Sequence, residues 1–139
     1  VTDNKELSEF LVDNFVRFFF FFLKAVALDH LKVITDGVFT TTNEFPKRVV
    51  EAVRSESEDL DIELHWDDLS QTAIAVDLAA HETQTKKHEM MAVFYPAQSA
   101  QVLVNGEPLE GQTIERDFNG ARAQSAALAN SETWVRVID

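Results

Sequence analysis

Asp77, His81 and His88 are the side chains whose types and spacing could do chemistry. The two histidines bracket Glu82-Thr83-Gln84-Thr85-Lys86-Lys87. If that segment is a hairpin loop, the imidazoles face each other across two strands. In that register Asp77, Ala79 and His81 share a face with His88, Met90, Ala92 and Phe94. Ile74, Val76 and Leu78 then share the other face with Met91, Val93 and Tyr95, which reads as core. The first face is lined by small residues, Ala73, Ala75, Ala79 and Ala92, and leaves room for a ligand. A desolvated Asp77 there could act as general acid or base. His81 and His88 could hold a metal only with a third ligand, which the sequence does not place. The plainer reading is a wet loop end with both histidines in solvent. A register slip of one residue exchanges the two faces completely.

Other signatures of chemistry are missing. The glycines at 37, 106, 111 and 120 form neither a dinucleotide loop nor a phosphate-binding P-loop. There is no G-x-S-x-G elbow and no H-E-x-x-H. Asp59-x-Asp61-x-Glu63 begins like a calcium loop, but Leu64 stands where the turn glycine belongs and Ser70 where the bidentate glutamate belongs. The acid run 55–63 therefore reads as a solvated linker. No cysteine is present, which removes disulfides, thiol catalysis and cysteine-held zinc. The expectation is no cofactor and no metal.

The elements that must position such side chains start with the run from Phe10 to Leu23, which holds seven of the eleven phenylalanines. Residues 4–31 read as a long helix, with Asp3 as N-cap and Glu6 as its capping-box partner. Leu7, Leu11, Phe15, Phe18, Phe22 and Val26 fall on one face, Asp13, Arg17 and Lys24 on the other. Phe20 and Phe21 flank that narrow polar stripe, so the helix needs cover on more than one side. Phe18, Phe20 and Phe21 are the expected interface. A membrane-surface helix would carry more Lys and Arg, and the uncharged run from Phe18 to Leu23 is too short to span a bilayer. His30 reads as a cation at the helix C-terminus.

Residues 32–42 favour a strand or short hairpin around Asp36-Gly37. A second, short helix is expected from Asn43, with Pro46 in its first turn and Phe45, Val49, Ala52 and Val53 on its apolar face, ending near Ser55. From Asp61 the period changes to two. Ile62-Leu64-Trp66, Ile74-Val76-Leu78 and Met91-Val93-Tyr95 each alternate with a second set, and Pro96 is expected to stop the third strand. Val102-Leu103-Val104 leads into the turn Asn105-Gly106, and Ile114 to Phe118 into Asn119-Gly120. Ala121 to Leu128 is strand or helix, and Trp134 to Ile138 a final strand. His65 reads as an exposed edge residue, Asp67-Asp68 as a turn.

The predicted fold is α+β, a single domain over 1–139 with two helices packed on an antiparallel sheet of about five to seven strands. In architecture alone that outline is similar to cystatin-like or NTF2-like cones. The net charge of −12 and pI near 4.6 oppose direct binding to nucleic acid or anionic lipid. No signal-peptide pattern is visible, so a soluble protein is expected, with the cytoplasm favoured. The first functional expectation is a non-catalytic module that associates with itself or another protein through the phenylalanine helix. The second is a small-molecule pocket protein or small enzyme of isomerase or hydrolase type using Asp77, with a small apolar ligand. The third is an acidic inhibitor that mimics nucleic acid through the carboxylates of 56–68.

Overall fold

The computed structural model describes residues 1–14, 32–83, 85–118 and 120–138. Among the described residues one α-helix, α1 (Lys5–Asn14), precedes nine strands: β1 (Val38–Glu44), β2 (Arg48–Ser55), β3 (Leu60–Leu69), β4 (Ile74–Leu78), β5 (His88–Val104), β6 (Glu107–Pro108), β7 (Glu115–Phe118), β8 (Ala121–Gln124) and β9 (Ala127–Arg136). Seven of them form one curled, half-barrel antiparallel sheet, and β7 with β8 makes a separate hairpin.

The long helix is not borne out by the described residues, which are helical only over Lys5–Asn14. Asn4, not Asp3, caps it: its Oδ1 accepts the Leu7 N–H at 3.0 Å. Leu7 and Leu11, expected on a buried face, are 48% and 39% exposed. Residues 15–31, with Phe18, Phe20, Phe21 and His30, lie outside the described residues.

The second helix is replaced by a β-hairpin. Residues 43–55 are the end of β1, a turn at 45–47 with a cis Phe45–Pro46 bond, and all of β2. Phe45, Val49, Ala52 and Val53 fit a helical stripe, but Val49, Val50 and Val53 are β-branched and favour a pleated surface. The pairing of β2 with β3 decides the matter, setting Val49 opposite Trp66 and Val53 opposite Ile62. Of the strand or short hairpin expected over 32–42, the strand is present as β1 from Val38, while 32–37 is irregular and makes no hairpin at Asp36-Gly37.

β5 organises the sheet. Its first part, through Phe94, pairs with β4; from Ala97 to Val104 it pairs with β3 on the same side. β9 runs along the other side from His88 to Pro96. Pro96 does not stop the strand. Its carbonyl accepts the Ser70 N–H at 2.7 Å, so its nitrogen faces the gap between β3 and β4, where no ladder bond is required. The core sits at this bend. Val49, Leu69 and Ala97 are buried together, with Trp66, Tyr95, Ala126 and Leu128 against them. Phe45 meets Tyr95 edge to face, ring centroids 5.2 Å apart.

Candidate functional site

The register of β4 on β5 settles the faces at the histidine pair. Ile74 lies opposite Phe94, Val76 opposite Ala92, Leu78 opposite Met90 and Asp77 opposite Met91. This is one residue off the expected register, so the apolar residues of β4 share a face with Met90, Ala92 and Phe94. Ala92 on that face is fully buried. Phe118 of the β7–β8 hairpin lies over it, 6.0 Å from the Phe94 ring. Asp77 and Ala75 fall on the opposite face and are exposed. The cavity expected from Ala73, Ala75, Ala79 and Ala92 therefore does not form on one face: Ala75 and Ala92 point to opposite sides of the sheet.

His81 is exposed in the turn 79–87, and His88 is half-buried at the start of β5. The His88 Nδ1 lies 3.0 Å from the Thr85 hydroxyl. His88 is paired across strands with Arg136 of β9. Among the described residues no group of three or more His, Cys, Asp or Glu could hold a metal ion.

The 79–87 turn is held by its own side chains. The Glu82 carboxylate accepts the Ala79 N–H at 2.9 Å. The Thr83 hydroxyl, buried, lies 2.8 Å from the His88 carbonyl and 3.0 Å from that of Ala80. The Val137 N–H donates to the Lys87 carbonyl at 3.0 Å, tying the chain beyond β9 to this turn. A cavity of about 890 Å³ lies between the two, lined by His81, Lys86, Lys87, Arg136, Val137 and Ile138. Sequence reasoning nominated only His81 of this set. The Lys86-Lys87 pair was visible, but its meeting with Arg136 needs the β5–β9 register.

The larger surface feature is the first half of the sheet. Its register places Phe39, Val53, Ile62 and Val104 in one row, then Thr41, Glu51, Leu64 and Val102, then Asn43, Val49, Trp66 and Ala100, all on one face. Phe39 is 55% exposed, and Leu64 and Val102 are each 36% exposed. The opposite face is polar and internally paired. Arg48 holds Asp67 at 2.5 Å and Arg54 holds Asp61 at 2.7 Å. His65 lies 2.7 Å from the Glu63 carboxylate. His65 is thus half-buried on a central strand, not an exposed edge residue, and Asp67-Asp68 lies within β3. With Lys32 on Glu58, four of the seven carboxylates of 56–68 thus lie against a basic side chain: Asp61, Glu63 and Asp67 on β3, and Glu58 in the turn before it.

One further acid is held outside that face. Asp36 takes the Ser57 N–H at 2.9 Å and the Ser55 hydroxyl at 2.7 Å. These two donors, the Ser57 N–H foremost, pull its pKa down to about 2.

No family model matches this chain, and no curated protein or solved structure matches it either. Fold and surface are therefore the grounds on which function is argued. Among the described residues no helix is long and apolar enough to cross a membrane.

Proposed function

We propose that this protein is a non-catalytic association module that pairs with a second copy of itself through β1, extending the sheet and joining the two apolar faces. The observation that carries the reading is the edge. Among the described residues β1 has a strand neighbour only in β2, all seven of its residues are exposed, and Val38 to Asn43 carry no charge. Sheet edges are ordinarily protected by charge, proline or a bulge, because unpaired N–H and C=O groups recruit another strand. β1 has one charged residue, Glu44, at its end. On a chain of net charge −12, this strand lowers the local charge where two copies approach, with Glu51 of β2, opposite Thr41, the acid beside its centre. Phe39 brings the open apolar face to the edge, so pairing there continues both faces.

Antiparallel pairing about Thr41 is isologous. It sets Thr40 opposite Thr42 of the second copy and Phe39 opposite Asn43, combinations that suit cross-strand contact. The segment with Phe18, Phe20 and Phe21, nominated by sequence for the same role, is the competing interface.

The test is mass by light scattering over a concentration series, with cross-linking. Wild type is expected to dimerise, and Thr41→Lys, which places like charges opposite each other at the two-fold axis, to dissociate it. Because the chain has no cysteine, Thr41→Cys gives a clean readout: a covalent dimer on mild oxidation supports the pairing. A monomer at every concentration overturns it. So does a dimer that Phe20→Glu dissolves and Thr41→Lys leaves intact.

A further inference from the structure

We propose that the cavity between the 79–87 turn and the residues following β9 binds a small multivalent oxyanion of the diphosphate type, held by Lys86, Lys87 and Arg136 with His81 at its rim. The inference is independent of the association through β1.

The first ground is where the charges are. In this acidic chain Lys5, Lys32, Arg48, Arg54 and Arg122 each sit against a carboxylate. Among the described residues Lys86, Lys87 and Arg136 make no ion pair, and they line one cavity that no described Asp or Glu lines. Lys47 and Arg116 are also without an ion pair, but they lie in the β1–β2 turn and in β7. Three like charges brought together repel one another, and an anion bound among them relieves that repulsion.

The second ground is that the site is built. Buried Thr83 and the capping Glu82 set the turn. Lys86 adopts φ of 57°, a left-handed conformation that lysine rarely takes. Its Nζ donates to the His81 carbonyl at 2.5 Å, which anchors the ammonium and leaves further N–H donors to offer. The Val137 N–H to Lys87 bond and the His88–Arg136 pairing hold the turn against β9.

The third ground is the match of donors to ligand. A guanidinium presents a planar fork to phosphate oxygens, while ammonium groups act as point charges around it. At about 890 Å³ the cavity is of small-ligand size. Screening confines a small anion to the local field within a Debye length of about 8 Å. A nucleic-acid strand would extend over the acidic remainder of the surface and be repelled, so the ligand is small.

The experiment is an amide NMR titration with sodium pyrophosphate, adenosine triphosphate and sodium sulfate, at low and at high salt. Saturable shifts centred on 80–88 and 136–138 are expected, stronger for the two phosphates than for sulfate. Lys87→Gln and Arg136→Gln should each weaken binding by at least about fivefold, as loss of a charge-assisted bond implies. Lys47→Gln should leave it unchanged. Triphosphate binding well above pyrophosphate identifies a nucleotide source; equal binding identifies the inorganic anion. Asp139→Asn is titrated as well, because that acid adjoins Ile138 in sequence. Absence of saturable shifts in both proteins overturns the proposal. So do shifts spread equally over Lys47 and Arg116, or a Lys87→Gln/Arg136→Gln double variant that binds like wild type.

Discussion

Along Ala97–Val104, β5 joins β3, β2 and β1 in a half-sheet with one polar, ion-paired face and one apolar face that Leu64 and Val102 leave partly exposed. Along His88–Pro96 the same strand joins β4 and β9 in a half-sheet whose apolar face carries a fully buried Ala92 and the Phe94–Phe118 contact. The two halves use similar residues. They differ in what each apolar face meets among the described residues: the second has its own hairpin, whereas the first runs out to Phe39 on the edge strand β1. Burial is thus conferred by neighbours: the same alternating pattern buries Ala92 completely in one half and leaves Phe39, Leu64 and Val102 partly exposed in the other.

The sharpest way to break this comparison is at the bend where the halves meet. Leu69→Ala there is expected to cost about 2–4 kcal/mol, since it removes a buried side chain from a packed cluster. Leu64→Ala on the open face should cost less, about 1–2 kcal/mol in a monomeric variant, because that side chain is 36% exposed and has no cavity to leave behind. Urea unfolding of both in the Thr41→Lys background measures the contrast, and equal losses would mean that the open face is covered. A smaller effect sharpens the second half. Phe118→Ala should remove roughly 0.5–1.5 kcal/mol from the aromatic contact, on top of lost burial, and quench hydrogen-exchange protection in β4 before β2.

The smallest effect concerns pH. The Asp36 carboxyl lies at about 2 in the folded chain, against its ordinary value of 3.8. Its unfolded form binds the proton more readily, so its stabilisation is complete above the ordinary value. It is lost as pH falls through about 2. Asp36→Asn should therefore flatten the acid limb of the stability curve between about 4 and 2 and leave neutral-pH binding at the cation cavity untouched. An unchanged acid limb would show that the Ser55 and Ser57 donors do not hold this carboxylate in solution.

Several elements were legible because local chemistry dictates them. Asn105-Gly106 forms the β5–β6 turn with both residues at positive φ, 51° and 79°, the geometry that asparagine and glycine tolerate. Ile74 to Leu78 is a strand as alternation implies. Other features were ambiguous in one dimension. Phe45, Val49, Ala52 and Val53 fit a helical stripe, whereas in the strand Val49 and Val53 share a face and Ala52 takes the other, and the partner strand β3 chose between them. Pro96 reads as a terminator unless one knows that its nitrogen faces the break between β3 and β4. Asp77 lies on the other face from the one expected for a simpler reason: with a period of two, one residue of slip moves a side chain through the sheet.

By itself the sequence determined which stretches alternate, some of the turns, Asn105-Gly106 among them, and that a cysteine-free, strongly acidic chain carries no familiar catalytic motif. Those properties reside in single residues and their near neighbours. The tertiary structure alone decided which face of β4 meets Ala92, which edge stays open, and that Lys86, Lys87 and Arg136 converge. Each depends on strand register, and register is fixed by contacts between residues far apart in the chain.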